Sequence, residues 1–252
     1  MLNKIIVIFL SFYALNAAAL TVGVTAGPHV LIMEEVRKQA KAENIDLKII
    51  EFNDFIMPNA ALNDGDIDFN SYQHQPFLDE QIASRGYKLV SIAKTIILPL
   101  GIYSTKYKDL NSVNDGATIA LPNDPTNLGR ALNLLKKANL IESNGAKNPS
   151  ILDITANPKK LKLVELEAPQ IPRILADVDY GITNTDWIML AGLDPNSAFL
   201  SEDKNSPYAN IIVTRIDNQN NPEILRIVEI YHSDHIKNYI LTEFKGAVLP
   251  AW

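Results

Sequence analysis

Seven side chains spread along this 252-residue chain combine into one kind of chemistry. Arg130 supplies a fixed cation, Asn184 and Asn210 supply amides, and Phe55, Tyr72 and His74 supply rings. Asn127 lies one helical turn before Arg130. A guanidinium presents a planar fork of donors that fits a carboxylate through two contacts. Amide oxygens accept hydrogen bonds from an ammonium group. Aromatic rings suit an apolar or thioether chain, since sulfur packs well against them. The set therefore describes a site for a free amino acid with an apolar tail. Each residue alone also fits a structural role: Asn184 as a helix cap, Asn210 in a turn, and His74, Tyr72 and Phe55 in a core.

What joins them is their position in the order of elements. Leu20–Val24 and Leu47–Phe52 read as strands, Val30–Lys41 as a helix between them and Met57–Leu62 as a short helical turn. A third strand follows at Ile67–Phe69, a helix at Gln75–Arg85, and one or two strands within Tyr87–Tyr103. The second half repeats the alternation. Strands are expected at Thr118–Leu121, Leu161–Leu166 and Tyr180–Thr183, with helices at Pro125–Asn139, Pro169–Ala176 and Asp186–Leu190. A strand at Ala209–Thr214 and helices near Pro222–Tyr231 and Asp234–Phe244 close the chain. Asp124 is a good N-cap, and Pro125 suits the first position of the helix that carries Asn127 and Arg130. The helical spacing sets Arg130 about 200° from Leu128, off the apolar face, by the 3.6-residue period.

Strands alternating with helices predict mixed or parallel sheets covered by helices on both faces. Two such series predict an α/β protein of two lobes. The first would comprise residues 20–103 and 210–252, the second residues 104–209, with crossings near 97–104 and 209–214. Ligands of open α/β sheets sit beyond the carboxyl ends of the strands. The segments that follow strands here, around Phe55, Tyr72–His74, Asn127–Arg130, Asn184 and Asn210, all belong there.

The ends and the composition narrow the function. Lys4, the apolar Ile5–Tyr13 stretch and Ala17–Ala19 read as a secretory signal over residues 1–19. Removing them takes away one charged residue, Lys4, so the formal charge moves from −6 to −7. That acidic balance argues against nucleic acid as a partner. With no cysteine, disulfides, thiolate metal sites and a cysteine nucleophile are excluded. No GxSxG, HExxH or phosphate-binding glycine loop is present. Asp64, Asp66 and Asp68 mimic a calcium loop, but Phe69 and Gln75 stand where Gly and Glu are needed. His232 and His235 lack a third fixed ligand. The acid–base pair an enzyme on this scaffold would use is His74 with Asp54. No cofactor and no metal is expected, and nothing argues against a monomer.

The segments FNDFIMPNAAL, GDIDFNSYQHQPFLD, LPNDPTNLGRAL, ITNTDW and EDKNSPYANIIVTR, with a closing VLPAW, resemble the methionine-binding lipoproteins of the NlpA family, in the same order from about Leu20 to Trp252. The resemblance implies a two-lobed periplasmic-binding-protein fold of type II that closes on its ligand. It implies no enzyme but a carrier that delivers methionine to an inner-membrane ABC permease and its ATPase. It assigns the ligand carboxylate to Arg130, the polar end to Asn184 and Asn210, and the side-chain pocket to Phe55, Tyr72 and His74. The chain departs from the family at three points. It has no lipobox cysteine, which implies a free periplasmic protein. Phe55 replaces a common tyrosine, and Tyr72 a common phenylalanine. A methionine-containing dipeptide or another apolar amino acid is the alternative ligand.

Overall fold

The computed structural model describes residues 19–111, 113–202 and 206–252. The expected signal lies outside them, Ala19 apart. In chain order the elements of the first half are β1 (Leu20–Thr25), α1 (Pro28–Ala42), β2 (Leu47–Phe52), α2 (Met57–Asp64), β3 (Phe69–His74), α3 (Gln75–Arg85), β4 (Leu89–Lys94), β5 (Ile96–Ile97) and β6 (Leu100–Tyr103). The second half holds β7 (Thr118–Pro122), α4 (Pro125–Lys137), β8 (Glu142–Ser143), β9 (Ile154–Ala156), β10 (Lys162–Leu166), β11 (Tyr180–Asn184), α5 (Thr185–Leu190) and β12 (Leu200–Ser201). The chain returns through β13 (Asn210–Arg215), α6 (Pro222–Tyr231), α7 (Asp234–Glu243) and β14 (Leu249–Pro250).

Two five-stranded mixed sheets organise the molecule, in the orders β2-β1-β3-β13-β4 and β10-β7-β11-β6-β12. β1, β2 and β3 run parallel, as do β7, β10 and β11, while β13 and β6 run against them. Side chains of a strand alternate between its two faces, and the cores follow that period. On β13, Ile212 joins the core shared with α1, α6 and α7, whereas Ile211 and Val213 join the core under α2 and α3. On β7, Ile119 and Leu121 meet Leu128, Leu132 and Leu135 of α4, and Ala120 meets Ile171 on the opposite face. Each sheet is thus covered on both sides.

Three expectations change. The third strand is not Ile67–Phe69 but runs on through Asn70–His74, all of it buried. The polar run is tolerated because its amides bond one another: Asn59 Nδ2 donates to Gln73 Oε1 at 2.8 Å, and Gln73 and Asn70 both donate to Asn59 Oδ1. The helix expected at Pro169–Ala176 is a 3₁₀ turn over Ala168–Ile174 with Pro172 inside it, a position where a proline removes a helix donor. Finally, the first lobe was expected to reach residue 103. β6 instead pairs with β11 in the second sheet. The chain passes over at Leu98–Pro99, where Pro99 lacks an N–H to continue a strand ladder, and comes back between β12 and β13.

Candidate functional site

The carboxyl ends of β1, β2 and β3 face those of β7 and β11, and the chain's local signals place one polar group after another there. Asn210 opens β13 opposite His74, the last residue of β3. Leu100, just after the crossing, lies opposite Asn184, the last residue of β11. Between the sheets is a small cavity walled by Phe55, Tyr72, His74, Asn127, Asn184 and Asn210, with Leu98 and Asp186 added. Six of the seven side chains expected from the sequence are therefore among its walls. Arg130 stands behind the wall, bonded to Asn127 and approaching the Leu98 carbonyl at 3.4 Å.

Arg130 is buried, not solvated on the polar face of α4. The N-cap Asp124 accepts from both the backbone and the side-chain nitrogen of Asn127 at 2.9 Å. This turns Asn127 Oδ1 towards Arg130 Nη1, which donates to it at 2.8 Å. The Nε and Nη2 edge of the guanidinium grips Glu202, with Nε to Oε1 at 2.8 Å. Glu202 in turn accepts from Leu100 N at 3.0 Å, and the Tyr208 ring lies 4.4 Å from the guanidinium. Glu202 was invisible to sequence reasoning, since no spacing rule links it to an arginine 72 positions away. It fixes the guanidinium plane from one side; with Asn127 and the Leu98 carbonyl also bonded, one Nη1 hydrogen is left for a further acceptor.

The first sheet contributes groups whose polar atoms are already engaged. His74 caps α3: its Nδ1 accepts from Phe77 N at 3.1 Å, so its proton sits on Nε2, 3.3 Å from Asn127 Oδ1. Burial, reinforced by the Arg130 charge, pulls the imidazole down to about 3, so it is neutral. The Tyr72 hydroxyl donates to the Phe55 carbonyl at 2.9 Å. What both residues offer a ligand is ring surface. Phe77 and Trp187 read from the sequence only as helix residues; Phe77 completes the wall, and Trp187 packs on Phe55 with ring centroids 5.2 Å apart. The enzyme alternative is not assembled, because Asp54 Oδ1 caps the N–H groups of Ile56 and Met57 and both nitrogens of His74 are occupied. His232 and His235 contact the Lys94 carbonyl and Glu35.

The asparagines are oriented differently. Asn210 Nδ2 donates to the Tyr72 carbonyl and to His29 Nε2, both at 3.0 Å. His29 is an acceptor there because burial lowers it to about 3. With both amide hydrogens used, the group Asn210 can offer is its oxygen. Asn184 is at the N-cap position of α5, yet its side chain makes no capping bond and its buried Oδ1 has no partner among the described residues. Asn184 is therefore an acceptor held ready, not a cap.

Three buried titratable groups set how stability responds to acid. His29 and His74 are lowered from 6.5 to about 3, whereas Asp186 is pushed up from 3.8 to about 7 by burial. As pH falls from about 6 to 4, the unfolded chain gains two imidazole protons that the fold refuses, and the fold gains one carboxyl proton that the unfolded chain lacks. These groups leave one net proton, a loss of about 1.4 kcal/mol per pH unit. His29→Gln should remove that net slope in urea melts at pH 6 and 4; an unchanged slope would contradict a neutral buried His29.

A cavity between two mixed α/β sheets, walled from both and spanned by two crossings, defines a two-lobed substrate-binding protein. The NlpA lipoprotein family model matches residues 20–252, and the chain belongs to that family. It is 45% identical to the D-methionine-binding lipoprotein MetQ of Salmonella typhi over 237 residues, covering 92% of this chain and 88% of the relative. It is also 45% identical to outer membrane lipoprotein 3 of Mannheimia haemolytica, covering 94% and 92%. Among solved structures, a nutrient-binding protein from Burkholderia cenocepacia bound to methionine superposes with a TM-score of 0.90 at 44% identity, covering 93% of this chain and all of that one. The methionine-binding protein MetQ superposes equally well at 43% identity, covering 93% and 98%.

Proposed function

We propose that this protein captures methionine in the cavity between its sheets and hands it to an inner-membrane ABC importer. The observation that carries the reading is the division of the walls. Arg130 stands behind the wall, bonded to the lining Asn127, while the acceptor oxygens of Asn184 and Asn210 and the rings of Phe55, Tyr72 and His74 line the cavity. Methionine has about nine non-hydrogen atoms, so the ceiling near −1.5 kcal/mol per atom allows roughly −13 kcal/mol. Sub-micromolar capture needs only about −8 to −9 kcal/mol. Of that, burial of the thioether tail contributes about 1.5–3 kcal/mol, the usual range for an apolar side chain, and the charged ends supply the rest.

The parts carrying the two sheets act as lobes, with the crossing at Leu98–Pro99 as hinge, and the protein works as a monomer. The sequence contains no cysteine to carry a lipid, and no described helix is long and apolar enough to cross a membrane. The absence of a cysteine supports a free periplasmic protein. Native mass spectrometry of the purified protein, before and after partial unfolding to strip ligand, tests the function. The stripped protein is expected to regain one methionine per chain when methionine is added. Failure to take up methionine, other apolar amino acids or dipeptides would overturn the transport reading.

A further inference from the structure

One wall of the cavity is a carboxylate that the division into cation, amides and rings does not use. Asp186 is 1% exposed, and its side chain accepts from backbone N–H groups, including Trp187 N at 3.0 Å. The cation whose charge reaches it is Arg130, already engaged by Glu202. An isolated buried carboxylate is strongly disfavoured unless a counter-charge arrives. Two residues away in sequence, Asn184 Oδ1 is buried without a partner among the described residues and lines the same cavity.

We propose that Asp186 pairs with the α-ammonium of the ligand, so that the cavity selects zwitterionic amino acids and releases a proton as it fills. This rests on the methionine reading. A ligand spanning the cavity would meet Arg130 with its carboxylate and Asp186, flanked by Asn184 and Asn210, with its ammonium. Burial holds Asp186 near 7, so below neutrality it is protonated in the free protein and must ionise to receive an ammonium. The other titratable groups on elements packed against α5 are Tyr180 on β11, His29 at the start of α1 with Glu34, Glu35, Arg37, Lys38 and Lys41 further along it, Arg173 on the 3₁₀ turn and Asp194 before the next one; Tyr103 is also close enough to feel the Asp186 charge. His29 and His74 are held neutral above about 3, which leaves Asp186 as the cavity group that titrates near neutrality.

The test is calorimetric titration of methionine into the wild type and Asp186→Asn at pH 7.5 and 6, in two buffers of different ionisation enthalpy, beside 4-(methylthio)butyrate, which lacks the ammonium. The wild type should lose roughly tenfold in affinity at the lower pH and release close to one proton there, as one-proton linkage requires. Asp186→Asn should bind methionine at least tenfold more weakly at pH 7.5, with no proton release, and should discriminate less against the des-amino analogue. Should Asp186→Asn fail to fold, the wild type's proton release and analogue discrimination decide alone. Methionine binding without proton release and with equal affinity in the variant would overturn the role of Asp186 while leaving the transport reading intact. Absence of methionine binding by the wild type at either pH would overturn both.

Discussion

Arg130→Ala is expected to weaken methionine binding by at least about a hundredfold, since truncating one partner of a buried charge pair costs about 2–5 kcal/mol. The loss has two sources. The remaining Nη1 hydrogen of the guanidinium would no longer meet the ligand carboxylate. Glu202, whose side chain is 13% exposed, would lose its partner, and breaking such a pair typically costs stability of about 3–5 kcal/mol. Thermal melts followed by circular dichroism separate the two, because affinity is read only on protein that is folded at the titration temperature. Arg130→Lys isolates the geometry. It keeps the charge but presents a point donor where a fork is needed, so it should recover stability more fully than affinity. Near-native affinity in the alanine variant would remove Arg130 from the site.

Asn210→Ala is expected to cost a similar hundredfold, for a different reason. Its oxygen is one of the acceptors for the ammonium, and its nitrogen holds two buried neighbours in place. Removing it orphans the Tyr72 carbonyl and His29 Nε2, each bonded at 3.0 Å, and an unsatisfied buried group costs about 1–3 kcal/mol. Asn210→Asp discriminates between the two functions. It retains an acceptor for the ligand but sets a carboxylate oxygen against the Tyr72 carbonyl and a neutral imidazole, so it should be less stable than wild type. Raised affinity in Asn210→Ala, measured by calorimetry, would show that the amide opposes ligand rather than holds it.

How much of this could be read from the sequence depended on the range of the interaction. The start of α4 was legible because every signal is local: Asp124 caps, Pro125 takes the first position, and Leu128, Leu132 and Leu135 repeat at helical spacing. Asn184 and Asn210 were legible as edge residues because strand ends are marked by short β-branched runs. The strand through Asn70–His74 was hidden, since its polar residues look like a loop until Asn59, from α2, is known to bond them. Glu202 was missed because Arg130 lies 72 positions before it, and Trp187 because Phe55 comes from the other half of the chain. Asp186 looked like an ordinary acidic residue in the first turn of a helix. Only its burial against the cavity distinguishes it from a solvated one.

A crystal structure of the protein grown with methionine at neutral pH would test the central claim most directly. The ligand should lie in the cavity between the sheets, its carboxylate within hydrogen-bond distance (about 2.7–3.2 Å) of Arg130, its ammonium facing Asn184 and Asn210, and its thioether among Phe55, Tyr72 and Trp187. Methionine bound outside that cavity, or lying in it with the charged ends reversed, would contradict the site described here.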